Sequence, residues 1–267
     1  MQKSSSIAVL MPSYNPGEGI HMTLNSLRSQ SVPFKLFVVD DGSPAKPDYR
    51  KLLQGFDYHL IELPNNVGVN EVRNPGLAQI LREGFDYVAL IDCGDAMTPR
   101  RLALQKTYLD ENPEIDIVGS WIEMNYEETG RKFDIHWPID SDEITRGLWV
   151  NMSVTHPALM LRSAVFKTVG FYTGSFEAAE DYDFLRRAMK AGCRFHNIDE
   201  KLLIKYETKD SISWRKRRAQ LKSRLRIQWR YRNLTNPLCI AGLLKTAAIL
   251  VVPDRLAPSI KAVIGQR

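Results

Sequence analysis

Residues 7–17, IAVLMPSYNPG, decide the fold. Five uninterrupted apolar residues read as a buried strand, and the Pro, Asn and Gly that follow are turn formers that stop it, leaving a polar loop at its carboxyl end. Residues 19–30 then place Ile20, Leu24 and Leu27 at helical spacing, and residues 34–39 form a second apolar run that halts at Asp40-Asp41-Gly42-Ser43. The pattern repeats: residues 58–63 read as a strand, 72–83 as a helix, and 87–91 as a strand ending at Asp92-Cys93-Gly94-Asp95. Such alternation predicts an α/β fold, a Rossmann-like and mostly parallel sheet with helices on both faces, whose ligands bind at the carboxyl ends of the strands. Three polar loops converge there.

Downstream, Pro99 suits the first turn of a helix over 101–111, and 115–124 reads as a further strand. Residues 158–161, 164–169 and 182–191 read as strand, helix and helix, the last opened by acidic residues that suit a helix N-terminus. The 267 residues suffice for one substantial core and a short appended segment. A hydrophobic content of 44% with 25% charged residues excludes a disordered chain and a multi-span membrane protein. Cys93, Cys193 and Cys239 are far apart with no CxxC pair, so neither a disulfide framework nor a zinc site is expected, and a reducing compartment fits. The first apolar run is too short for a signal peptide, which places the expected site of action in the cytoplasm.

The clusters at strand ends carry the candidate chemistry. Asp40-Asp41-Gly42-Ser43 reads equally as a capped turn or as a carboxylate that accepts from a base or ribose. Asp92 and Asp95 share the same rim, where carboxylates repel unless a cation, a donor or a pKa shift compensates; a divalent metal on a diphosphate would do so. Arg73 opens a helix after Asn65-Asn-Val-Gly68 and is either a surface charge or a two-bond ligand for phosphate. Glu180-Asp181-Tyr182-Asp183 either complements a helix dipole or holds a base, because sugar transfer to a hydroxyl needs a carboxylate within hydrogen-bond reach. His156 is either a core histidine or lines an acceptor pocket.

Taken in order, PSYN, VVDDGS, NVGxxxxRN, ALIDCGD, THPALMLR, VGFY and AEDYD resemble the inverting family-two glycosyltransferases of GT-A fold and bacterial polysaccharide biosynthesis, over roughly residues 7–213. The resemblance implies a nucleoside diphosphate sugar donor, a UDP-sugar by preference, and a single displacement by an acceptor hydroxyl. By position it places Pro12, Tyr14 and Asp41 around the nucleotide base, Arg73 near base or diphosphate, and Asp92 near the ribose. Asp181 becomes the general base, with Glu180, His156 and Arg162 on the acceptor side. The family's Asp-x-Asp-Asp metal motif has Gly94 at its middle position, which offers no ligand. Three ways of offsetting the leaving group's charge are left: Asp95 turning in to Mg2+ or Mn2+, phosphate and water completing that ion's shell, or Arg73 in the metal's place. A nucleotidyltransferase on a related fold is disfavoured, since PSYNPGEG holds no basic residue.

The domain so defined spans 1–213, with a nucleotide-binding half over 1–124 and an acceptor half over 125–213, and a tail over 214–267. From Ser211 onward thirteen Lys and Arg face one acidic residue, which puts +12 in this segment and −7 in the first 210 residues against a total of +5. Residues 214–232 hold nine basic side chains interleaved with Leu221, Leu225, Ile227 and Trp229, and 238–252 form an apolar stretch too short to span a bilayer. These features predict a helical tail lying on anionic lipid at the inner face of the plasma membrane, beside a lipid-linked saccharide acceptor, or alternatively packed on protein. Nucleic acid is the other partner a basic run allows, and the acidic body argues against it.

Overall fold

The computed structural model describes residues 6–208 and 216–251. The expected domain end at Ser213, the start of the basic run at Trp214 and residues 252–267 lie outside the described residues. The elements in chain order are β1 (Ile7–Ser13), α1 (Gly19–Arg28), β2 (Lys35–Asp40), α2 (Tyr49–Leu52), β3 (Tyr58–Glu62), α3 (Arg73–Glu83), β4 (Tyr87–Leu90), β5 (Ala96–Met97), α4 (Arg101–Glu111) and β6 (Ile117–Tyr126). There follow β7 (Arg131–Ile135), α5 (Ser141–Val150), β8 (Met160–Arg162), α6 (Ser163–Val169), α7 (Glu180–Lys190), β9 (Phe195–Glu207), α8 (Arg217–Arg230) and α9 (Pro237–Val251).

One sheet runs in the order β3-β2-β1-β4-β8-β6-β9-β5, with β7 paired to β6. The block β3-β2-β1-β4 is wholly parallel, and β8 joins β4 antiparallel. Successive residues of β1 feed opposite layers. Ile7, Val9 and Met11 pack with Ile20, Leu24 and Leu27 of α1 and Leu102 and Leu109 of α4. Ala8 and Leu10 pack with Leu77 and Ile80 of α3 and with residues of α5 and α7. A strand covered on both faces has no polar side to show, which is why it reads as a continuous apolar run.

The second half departs from expectation in identifiable ways. The strand expected over 158–161 is a 3-10 turn, His156–Ala158, followed by β8, because Pro157 fixes φ and has no N–H for a ladder. Strand β9 pairs with β6 in parallel and with β5 antiparallel. Its register against β6 is irregular: Ser120 faces Ile198 and Ile122 faces Leu203, so two steps along β6 match five along β9.

The tail packs on the domain through one face. Leu221, Ser223, Ile227 and Gln228 of α8 are buried; Ser223 Oγ accepts from Ala178 N at 3.3 Å, and Gln228 Nε2 donates to Val150 O at 3.2 Å. Two of those four are polar while Trp229 is 56% exposed, so α8 is not the simple apolar-in, basic-out helix expected of the sequence; its inner face instead meets backbone groups left over at element ends. Helix α9 lies on α5 at Gly242, where a Cβ would run into the Trp149 carbonyl oxygen and sit 3.0 Å from Val150 Cα. Among the described residues no helix is long and apolar enough to cross a membrane. Gly242→Val should therefore unseat α9 and cost about 1–3 kcal/mol; a thermal melt indistinguishable from the parent's would show that α9 does not dock there.

Candidate active site

The loops that end β1, β2 and β4 form the rim, and the two aspartates after β2 divide the work. Asp40 is fully buried and spoken for: its carboxylate accepts from Ser43 N at 2.8 Å, Ser43 Oγ at 2.7 Å and Tyr49 Oη at 2.6 Å. Ser43 Oγ in turn accepts from Asn15 N at 2.9 Å, tying the first two loops together. Asp41 accepts from Val67 N at 2.7 Å and Gly68 N at 3.0 Å, which fixes the third loop. Gly42 makes this approach possible, with φ at +68° and a hypothetical Cβ only 2.8 Å from Asn65 Cα. A carboxylate has about four acceptor positions, so Asp41 keeps capacity for a ligand donor. Pro12 is half-buried at the end of β1, and Tyr14 stands 48% exposed beside these loops.

Arg73, at the first turn of α3, is 4% exposed and bridges the two halves of the domain. Its Nη2 donates to Asp92 Oδ1 at 2.6 Å, and its Nη1 donates to Val69 O at 3.3 Å and to Glu180 Oε1 at 3.4 Å, while the guanidinium carbon lies 5.7 Å from the Tyr172 ring centroid. The next residue completes the clasp: Asn74 donates to Tyr172 O at 2.9 Å and accepts from Tyr172 N at 3.1 Å. The surroundings act against each ionised group and the partners decide the outcome. Desolvation works to raise Asp92, but Arg73 and then Lys205 and His156 hold it at about 2. Desolvation and then Asp181 push Glu180 up to about 7, against the pull of Arg73.

His156 is 4% exposed and shares a 2.7 Å hydrogen bond with Tyr172 Oη. Desolvation, followed by Arg73, drives its pKa down to about 4, so the imidazole is neutral at pH 7 although Asp181 and Asp92 lie near enough to oppose the shift. Trp137 Nε1 donates to Thr155 Oγ1 at 2.7 Å, anchoring the segment after β7 beside this histidine. Asp181 is half-buried in the first turn of α7, its Oδ1 accepting from Tyr182 N at 2.7 Å. The chain enters α7 through Ala179 at φ +64°, a left-handed conformation that costs a residue with a Cβ roughly 1–2 kcal/mol.

Arg162 does not belong with this group. On β8 it stands opposite Tyr87, at the amino end of β4 and so at the far end of the sheet from the rim. There it donates to Ile115 O at 2.8 Å, Leu109 O at 2.6 Å and Asn112 O at 3.2 Å, capping the end of α4. The antiparallel direction of β8 explains the correction: His156 lies in the turn that leads into the strand, and Arg162 ends it at the opposite end of the sheet.

The residues at the expected metal position do not fit a divalent ion. Gly94 has φ +102° and no side chain to offer. Asp95 is 3% exposed and already paired with β9, Oδ1 accepting from Tyr206 N at 3.1 Å and Oδ2 from Lys205 Nζ at 3.4 Å. Asp92 Oδ1 is held by Arg73. Among the described residues no group of three or more His, Cys, Asp or Glu is disposed to hold a metal. Lys205 has no motif around it and could not be found from the sequence, whereas Asn74 and Tyr172 stood inside the RN and VGFY motifs without a role.

The fold is that of a GT-A glycosyltransferase. Residues 8–170 match the model for glycosyl transferase family 2, and the chain belongs to that family. Among curated relatives it is 25% identical to the uncharacterized glycosyltransferase MJ1057 of Methanocaldococcus jannaschii over 85% of this chain and 80% of the relative. It is 22% identical to the amylovoran biosynthesis glycosyltransferase AmsE of Erwinia amylovora, over 82% and 83%. It is 24% identical to the Escherichia coli UDP-Gal:alpha-D-GlcNAc-diphosphoundecaprenol beta-1,3-galactosyltransferase, over 80% and 78%. Among solved structures it is similar to Staphylococcus aureus TarS 1-349 in complex with UDP-GlcNAc, with a TM-score of 0.67, 20% identity, and 84% of this chain covered against 66% of that one, so it spans just under two thirds of that fragment. It is also similar to the mannosyltransferase PcManGT of Pyrobaculum calidifontis in complex with GDP-Man and Mn2+, with a TM-score of 0.62, 15% identity, and 98% and 74% covered.

Glu180 gives the site a pH signature. Its folded pKa of about 7 stands above the ordinary carboxylate value of 4.5, so between those values the native chain holds a proton the unfolded chain has lost, and stability falls as pH rises toward 7. Glu180→Gln should flatten the melting temperature between pH 5 and pH 7.5 relative to the parent; parallel curves would show that Glu180 is ionised throughout that range.

Proposed function

We propose that the enzyme inverts configuration, moving one sugar from a nucleoside diphosphate sugar, a UDP-sugar by preference, to a hydroxyl of a lipid-linked saccharide during assembly of a surface polysaccharide such as lipopolysaccharide or capsule. The observation that carries this reading is the gathering of Asp181, Glu180, His156, Arg73 and Asp92 at one rim, although Arg73 and Glu180 stand 107 residues apart in the chain. Asp181 accepts the acceptor hydroxyl's proton as the oxygen attacks the anomeric carbon, and the bond to the diphosphate breaks with its electron pair leaving on phosphate. Asp41, Pro12 and Tyr14 receive the base, and Asp92 the ribose. Arg73 acts from inside by holding Asp92 and Glu180, a different part from the direct phosphate contact expected of it. The UDP-sugar and diphosphoundecaprenol in the E. coli relative's name, and the UDP-GlcNAc in the TarS complex, support the donor and acceptor classes.

Asp181→Asn should lower turnover by about 10²–10⁴-fold while leaving donor affinity within about twofold; near-parental turnover would remove Asp181 as the base. A thermal-shift panel of UDP-, GDP- and dTDP-sugars reports the nucleotide, and stabilisation by none of them would sink the donor assignment.

The tail supports a place on the cytoplasmic membrane surface. Besides Trp229 it exposes Leu234, Ile240, Leu244 and Val251, the last two at 66% and 80%, with Lys222, Arg226 and Arg230 also outward. Apolar side chains beside exposed bases suit anionic lipid. Replacing Arg226, Arg230 and Arg232 together with Gln should weaken binding to phosphatidylglycerol-containing vesicles by roughly a hundredfold, at about 1 kcal/mol per basic residue; a parent chain that fails to float with such vesicles would exclude this location.

A further inference from the structure

At the position where a family-two transferase is expected to hold its metal, this chain holds a lysine. Lys205 comes from β9, the strand that pairs with β5 immediately after the Asp92-to-Asp95 loop, and its Nζ lies 3.4 Å from Asp95 Oδ2. Its charge also acts on Asp92 and on His156. The side chain keeps a quarter of its surface accessible, against 4% for Asp95 and 5% for Arg73. An ammonium has three donors, and Asp95 takes one. The three features that unfit the loop for a divalent ion therefore coincide with a fixed cation: Gly94 brings no ligand, Arg73 holds Asp92 Oδ1, and Lys205 with Tyr206 N–H occupies both oxygens of Asp95.

We propose that Lys205 is the cation that receives the departing diphosphate, and that donor binding and transfer need no divalent metal. The inference rests on the reading of the donor as a nucleoside diphosphate sugar. In the step itself the acceptor oxygen bonds to the anomeric carbon, the bond from that carbon to the phosphate oxygen breaks, and its electron pair stays on the diphosphate. The acceptor's proton passes to Asp181, and Lys205 keeps its own proton and pairs with the new negative charge. An ion pair of this kind forms fully only as charge develops on the leaving group, which is where stabilisation accelerates the step.

Calorimetric titration of the full chain with UDP, GDP and dTDP, each in EDTA and in Mn2+, tests the assignment. The tightest nucleotide should bind in EDTA within about threefold of its affinity in Mn2+, and Lys205→Met should weaken it by roughly tenfold or more while the matching monophosphate loses less. Since Lys205→Met alone strands Asp95, the paired variant Lys205→Met with Asp95→Asn is measured alongside. Diphosphate affinity that stays weak in this neutral pair upholds the proposal, and affinity restored to the parental value reduces Lys205 to a partner of Asp95 and overturns it. Binding that appears only with Mn2+, or tightens about tenfold or more with it, also overturns the proposal. If no diphosphate binds in either buffer, the donor reading itself fails and takes this one with it.

Discussion

The site depends on one buried guanidinium. Asp92 follows the last strand of the parallel block, Glu180 opens the helix that carries Asp181, and both are carboxylates that meet at Arg73. Left to themselves they would repel and drive the two halves apart. Arg73 donates to both, and its neighbour Asn74 fixes the backbone of Tyr172 in the segment leading to α7. The first turn of α3 is thus a clasp between an early strand end and a late helix start. Taking Arg73 out leaves Glu180, whose side chain is 10% accessible, without its cation, while Asp92 at 34% keeps some water. The rest of the rim, His156 on Tyr172 and Asp41 on the third loop, is built around halves already held together.

How much of this was legible in the sequence follows from which physical signals are local. Strands β1, β2 and β4 are covered on both faces, so they appear as apolar runs, and the loops that end them announce themselves by Asp, Gly and Ser. Helix α4 was readable to the residue because Pro99 marks its approach and its apolar positions repeat at helical spacing. Helix α5 was missed: Gly147 sits in its interior, placed there by the Ser153 side chain that a Cβ would strike, and glycine weakens the helical signal. Strand β9 was missed because its irregular pairing breaks the alternation that would identify it. The carboxylates, Arg73 and His156 were visible as residues near strand and helix ends. Arg162 was misplaced because a motif says nothing of strand direction, and Lys205 was invisible because only sheet pairing brings it to Asp95.

The tail and α7 are joined by more than proximity. Asp183, two residues beyond Asp181, accepts from Arg187 Nε at 2.9 Å and from Tyr231 Oη at 3.0 Å, and Arg186 donates to Tyr231 O at 3.1 Å. The backbone just before α7 donates to Ser223. The charge division between an acidic body and a basic tail therefore does not mark two independent pieces. One face of α8 is committed to the domain by hydrogen bonds to Ala178 N and Val150 O, which is why polar Ser223 and Gln228 are buried there, while Trp229 and its basic neighbours face outward.

The irregular stretch of β9 determines more than the path of a strand. Between Ile198 and Leu203 the strand carries three residues more than its partner β6 over the same span, an odd surplus, so the side chains beyond it stand on the faces opposite to those a regular ladder would give them. The Lys205 side chain reaches Asp95 on this account, whereas Tyr206 meets the same carboxylate through its backbone N–H alone. Lengthening or shortening this stretch by two residues would leave the sign of the charge beside Asp95 as it is, whereas a change of one would turn the ammonium away and bring a neighbouring side chain round in its place. The electrostatics of the rim are in this sense counted out by the parity of a bulge several residues away.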